Sequence, residues 1–205
     1  PKVEVLEQAV YNAQISLYRL SQSKHIKAPD KDILQQLQKQ CQLEQLPKLI
    51  VGVDISHYYG NDIVASAVTF KGGRPMKSGY RKFKIRSVEE MSNDPQAMYE
   101  AVLRYLQLDP KHPPQLFLID GGITQLSACR RAIAEAGYVS ASGHASIESI
   151  SLAKKQEAIF LDPKQPPLIL GLDHPVTQYL QRIRDEAHRF ALSYQSKRRN
   201  KRFLS

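Results

Sequence analysis

No stretch of this 205-residue chain approaches the roughly 20 consecutive apolar residues of a membrane helix, because acids and bases interrupt every candidate. The opening PKVEVLEQAV lacks the unbroken apolar core of a secretory signal. Cysteine is nearly absent. Cys41 and Cys129 stand in separate helix-like stretches with no CxxC or Cys/His cluster, so neither a disulfide framework nor a zinc site is indicated, and a reducing cytosol is the expected home. Internal repeats and low-complexity linkers are also missing, and a first residue other than Met suggests a processed or shortened chain. Acids are the minority charge, with 20 Asp and Glu against 29 Lys and Arg. The resulting net charge of +9 and pI near 9.5 favour a polyanionic partner, nucleic acid before anionic membrane.

With 42% hydrophobic and 24% charged residues, the composition is that of an ordinary globular protein. Val3, Leu6, Val10, Leu17 and Leu20 have amphipathic helical spacing, and a second helix is expected over about 30–43 with Ile33, Leu34, Leu37 and Leu43 on its apolar face. The periodicity changes at Leu49. LIVGVDIS (49–56), DIVASAVTF (62–70) and KSGYRKFKI (77–85), separated by turn signals, predict an antiparallel meander. A helix from about Asp94, the buried strand QLFLID, a helix ending at Gly137, the strand ESISLA, a hairpin of EAIFLD with PPLILG, and a last helix from about Pro175 complete the order. This order predicts an α/β, ribonuclease H-like mixed sheet flanked by helices, preceded by a helical lead-in. The expected division is 1–47 lead-in, 48–195 nuclease-like domain and 196–205 basic tail.

QLFLIDGG poses the chemical question, because an apolar strand ends on Asp120 and two glycines. In the expected fold the middle of the first strand lies beside the end of the fourth, which pairs Asp54 with Asp120. Two carboxylates about 3 to 5 Å apart repel unless a cation sits between them or they share a proton. Mg²⁺ is the economical reading, with Gly121 and Gly122 letting a phosphate backbone approach. Each acid also has a structural reading, Asp120 as a helix cap and Asp54 in an Asx-turn with Ser56. His188, on the flank of the apolar stripe Leu180, Ile183 and Ala187, is a third candidate that can ligate an ion, orient water or transfer a proton. Asp94 is a fourth, with an N-cap role as its alternative. Glu100 ranks below it, and His57 can contact phosphate or simply pack.

The segment 71–86 holds seven basic residues and no acid. In strand geometry Lys82, Lys84 and Arg86 share one face and Arg81, Phe83 and Ile85 the other, so the outer face is read as a row of cations. Lys77 joins this patch. A solvated edge strand would look similar. The segment 196–202 is denser still, with Lys197, Arg198, Arg199, Lys201 and Arg202.

VDISH, IVAS, KSGYRKFKI, LIDGG followed by QL, LAKK, and QRIRDEAHRFAL with KRRNKR resemble the C-terminal endonuclease region of UvrC, the incision subunit of bacterial nucleotide excision repair. The lead-in VLEQAVYNAQISL is similar too, so the likeness spans nearly the whole chain. It implies a ribonuclease H-like, Mg²⁺- or Mn²⁺-dependent nuclease that cuts damaged duplex DNA on the 5′ side of a lesion. The family's Asp-Asp-His triad falls on Asp54, Asp120 and His188, which would also hold the metal. A further functional acid of the family falls less securely on Asp94, where the sequence reads SNDP. Lys154 and Lys155 join the expected DNA contacts. Ile123 and Thr124 stand where the family usually has Lys and Gly, which removes a cation near the cut phosphate. The resemblance extends neither to the family's GIY-YIG nuclease, nor to the segment that docks a UvrB-type helicase, nor to its helix-hairpin-helix clamp. Two rival expectations remain: a catalytically silent DNA-binding or partner-docking module, and a ribonuclease H type enzyme acting on RNA/DNA hybrids.

Overall fold

The computed structural model describes residues 32–57, 63–87, 94–108, 111–139 and 146–203, and for residue 155 and residues 194–203 the backbone alone. The helix expected over 3–21 lies outside the described residues. The second lead-in helix is present as α1, Ile33–Gln40. It buries Ile33 and Leu37 in the same apolar cluster as the sheet.

Among the described residues, seven strands form one sheet. β1 (Leu49–His57) and β2 (Ile63–Lys71) pair antiparallel along their whole length. β2 carries two short partners on its far side, β3 (Arg74–Pro75) and β4 (Arg81–Lys84). α2 (Asp94–Leu108) leads into β5 (Leu116–Asp120), which lies parallel to β1. After α3 (Ile123–Glu135), β6 (Glu148–Ala153) adds parallel to β5 and β7 (Ala158–Phe160) closes the edge antiparallel. The spatial order β3-β2-β1-β5-β6-β7, with β4 also on β2, is a ribonuclease H-like mixed sheet.

The runs in β1 and β5 are apolar at both parities because both faces of the sheet are covered. Val51, Val53, Phe117 and Ile119 pack against Met98 and Val102 of α2 and Cys129 and Ile133 of α3. Ile50, Leu116, Leu118 and Ile150 face the other way, onto Leu180, Ile183 and Ala187 of the last helix, α4 (Pro175–Phe203). Gly52 belongs to this second series. A Cβ there would come within 2.5 Å of Ile183 Cγ2, so its absence lets α4 cross close over β1.

Three elements differ from expectation. KSGYRKFKI is not one strand, because Lys77–Gly79 forms a 3₁₀ turn before β4. Thr69 holds that turn, its hydroxyl donating to Gly79 O at 2.9 Å and its carbonyl accepting Met76 N–H at 2.7 Å. The hairpin of EAIFLD with PPLILG is reduced to one bridged pair, Ile159 with Leu168. The last helix continues through 196–202 to Phe203, where a separate tail was expected.

Candidate functional site

The parallel register of β1 and β5 pairs Val53 with Ile119, and the next residue on each strand is Asp54 and Asp120. Side chains alternate along a strand, so both acids continue the series that faces α4. The site therefore lies at the carboxyl ends of two parallel strands, where open α/β sheets bind ligands.

Asp54 is almost fully buried, and the Ser56 hydroxyl donates to its Oδ2 at 2.8 Å. The strand runs on to His57, so the Asx-turn reading of Asp54 does not hold. Asp120 is half-buried. Its pKa is pushed up to about 6, first by burial and then by the Asp54 charge, against the pull of Lys154, Arg184 and His188. The cap reading of Asp120 fails as well. The N-cap of α3 is Gly122, whose N–H is taken by Gln125 Oε1 at 3.1 Å.

Five residues beyond Ile183, α4 sets His188 Nδ1 3.7 Å from Asp54 Oδ2. Interaction with Asp54, as hydrogen-bond acceptor first, raises the His188 pKa above its ordinary value against the cost of burial. At 3.7 Å the contact is long for a hydrogen bond, so charge attraction is the main link between the two groups. One turn earlier on the same helix face, Arg184 donates to Glu157 Oε2 at 2.5 Å. Glu157 and Gln156 both have left-handed backbone, at φ +50 and +61. Such strain is stored where a loop must be aimed, here between Lys154 and the Arg184 pair.

Asp54, Asp94, Asp120, Gln125, Lys154 and His188 are among the residues that wall a single cleft of about 430 Å³. Asp94, the first residue of α2, has its Oδ1 2.7 Å from His57 Nε2. His57, of opposite parity to Asp54, points to the α2 side of the sheet and meets it there. Glu100 is spent on structure. Its carboxylate accepts the N–H groups of Arg86 and Ser87 and a bond from Arg104, which holds its pKa below the usual range although burial opposes.

The basic face of β4 is less open than expected. Lys82 sits 4.2 Å over the Phe190 ring and donates to Ser193 Oγ at 3.2 Å, tying β4 to α4. Arg81 donates to the carbonyls of Ser78 and Tyr80. Lys77, Lys84, Arg86 and Lys154 are exposed. Lys197, Arg198, Arg199, Lys201 and Arg202 fall on the last turns of α4, and Lys155 opens a 3₁₀ turn; their side chains lie outside the described part.

Among the described residues, no three His, Cys, Asp or Glu side chains already stand as a metal cage. The donor chemistry nonetheless fits a hard divalent ion. Two carboxylates from adjacent strands repel, which after burial is the second cause of the raised Asp120 pKa, and a bound cation would relieve that repulsion. Sequence reasoning paired Ser56 with Asp54 only as an Asx-turn, not through the hydroxyl that donates here, and passed over Arg184 with Glu157 and Gln125. The signal for Gln125 was present, since Gln three residues after an N-cap is the capping-box spacing.

Two solved structures overlap part of the fold. One is a Ciona intestinalis endonuclease V bound to an inosine-containing DNA, with TM-score 0.39 and 21% identity over 61% of this chain and 59% of that one. The other is T. thermophilus RuvC with a Holliday junction substrate, with TM-score 0.30 and 14% identity over 53% and 66%. Sequence relatives are nearer. UvrABC system protein C of Gemmatimonas aurantiaca is 44% identical over 85% of this chain and 28% of its own length. That of Carboxydothermus hydrogenoformans is 39% identical over 100% of this chain and 35% of its own. The chain thus spans about a third of the curated relatives it matches. The profile of the UvrC RNAse H endonuclease domain matches residues 38–192, and with these relatives beside it the chain belongs to that family.

Proposed function

We propose that this chain is a metal-dependent DNA endonuclease that hydrolyses a phosphodiester 5′ of a lesion in nucleotide excision repair. The observation that carries the reading is Asp54 and Asp120, each one residue beyond the paired Val53 and Ile119 of neighbouring parallel strands, with His188 set against Asp54. Asp54 and Asp120 would hold Mg²⁺ or Mn²⁺, with His188 at the edge of the same set. When bound, such an ion polarises a phosphate and lowers the pKa of a coordinated water.

The chain's own residues supply the rest. Ser56 orients the Asp54 carboxylate through its 2.8 Å hydrogen bond. His188, drawn to Asp54 by charge, can donate a proton to a departing oxygen or accept one from water through the ring nitrogen turned away from Asp54. Asp94 forms a further acidic part of the wall, steadied by His57. Lys154 offers a cation at the cleft, and Lys77, Lys84 and Arg86, with the basic turns of α4, meet the phosphate backbone on either side. Phosphate contacts carry no base information, so the chain reads no sequence and its binding weakens steeply with salt. In the full-length relatives a UvrB-type helicase would deliver the lesion, in the bacterial cytoplasm.

The test is nicking of a lesion-containing duplex with Mg²⁺ or Mn²⁺, comparing the parent chain with Asp120→Asn and His188→Ala. Both variants should lose the nick while keeping the fold. Cutting of an RNA/DNA hybrid alone would move the substrate to hybrids. No nick from the parent, with DNA still bound, would make the chain a binding module.

A further inference from the structure

The cleft wall contains one neutral side chain whose orientation follows from its bonding. Gln125 lies in the first turn of α3, where its Oε1 accepts the Gly122 N–H at 3.1 Å and the Thr124 hydroxyl at 2.8 Å. A backbone N–H can only donate, so the amide atom facing it is the oxygen. What remains is Nε2 with two hydrogens, and among the described residues it donates to nothing. Gly121 makes this fold-back possible. Its φ is +144, and a Cβ there would stand 3.0 Å from Cγ and Cδ of Gln125.

We propose that Gln125 contacts the substrate: Nε2 donates to a non-bridging oxygen of a DNA phosphate in the cleft, while Gly122 and Thr124 hold the amide in place. This deepens the nuclease reading and rests on it. The chemistry suits the location, because the cleft already presents Asp54, Asp94 and Asp120 to a phosphate, and each repels it. A lysine here would be drawn to those carboxylates. A neutral amide whose oxygen is doubly anchored stays aimed at the ligand and does not reorganise when charge develops on the phosphate.

Gln125→Glu separates this role from a purely structural one. Glutamate keeps the oxygen that accepts the Gly122 N–H and places negative charge in the first turn of α3, where it is favourable. Because the new carboxylate would itself repel a phosphate, the neutral Gln125→Met is measured beside it: if Gln125 only capped the helix, Gln125→Met would lose stability yet keep the parent's DNA affinity, whereas loss of a phosphate contact lowers that affinity in both variants. The expected result for Gln125→Glu is an unchanged or higher melting temperature together with affinity for a lesion-containing DNA duplex weakened about tenfold or more. That affinity is read by fluorescence anisotropy in chelator, with a matching loss of nicking in Mn²⁺. Thr124→Ala, which releases one anchor, should give a smaller loss in the same direction. The side-chain amide signal of Gln125 in a ¹⁵N NMR spectrum, assigned by its disappearance in Gln125→Glu, should move when the same duplex is added. A parent that nicks no DNA ends the nuclease reading, yet a moving Gln125 amide would still uphold the phosphate contact. An unmoved amide, or parental affinity in Gln125→Glu or Gln125→Met, overturns the inference even where the parent nicks.

Discussion

Asp120→Asn should stabilise the metal-free fold at neutral pH while abolishing nicking. Burial and the Asp54 charge raise the Asp120 pKa from an ordinary 3.8 to about 6. Between those values the folded state binds more protons than the unfolded chain, so stability falls as pH rises through that window. Below the lower value both states hold the proton and the penalty is absent; above the upper value it is complete. A shift of two units at 1.36 kcal/mol each corresponds to roughly 3 kcal/mol, or on the order of 10 °C in melting temperature for a domain of this size. Urea denaturation in chelator, parent against variant, should show the widest gap at about pH 8 and convergence near about pH 4. Adding Mn²⁺ at neutral pH should raise the parent's midpoint and leave the variant's almost unmoved, because a ligand stabilises only the state that binds it. A variant no more stable than the parent at the alkaline end, or a gap that ignores pH, would refute the reasoning that the two carboxylates are held together against their repulsion.

Gly52→Ala should destabilise by about 1 to 3 kcal/mol, since its Cβ would meet Ile183 Cγ2 at 2.5 Å. The same substitution should cost less in an Ile183→Ala background, which a double-mutant cycle of denaturation energies measures. Glu100→Gln should cost about 1 to 3 kcal/mol by weakening the anchor of Arg86, Ser87 and Arg104, yet leave the nicking rate of the folded fraction near the parent's. A collapse in rate at full folding would return Glu100 to the catalytic set. In the metal-free protein, Asp54→Asn should lower the titration midpoint of His188 followed by NMR, because Asp54 is the main cause of its raised pKa. An unchanged midpoint would show that the two do not interact.

Much of the architecture was legible in local pattern. Leu49 to Val53 and Leu116 to Ile119 carry no polar side chain at either parity, as a strand covered on two faces requires, and both became central parallel neighbours. The stripe Leu180, Ile183 and Ala187 marked the buried face of α4 before any packing was known. The expected third strand failed because nothing within KSGYRKFKI reveals that Thr69, in another strand, would take Gly79 O and bend the segment into a turn. The open row of cations failed for a similar reason. Phe190 lies more than a hundred positions from Lys82, and only the docking of α4 brings its ring beneath the ammonium.

The sequence by itself determined which residues carry charge at strand ends and which helix faces turn inward, since those follow from neighbours two, three or four positions away. Tertiary structure alone decided that Asp54 stands beside Asp120, that His188 reaches Asp54, and that Gln125 folds back over Gly121. Each of these depends on register or close approach between segments far apart in the chain. Those are set by how two cores pack on the faces of one sheet, with a missing Cβ at Gly52 deciding how near α4 can come.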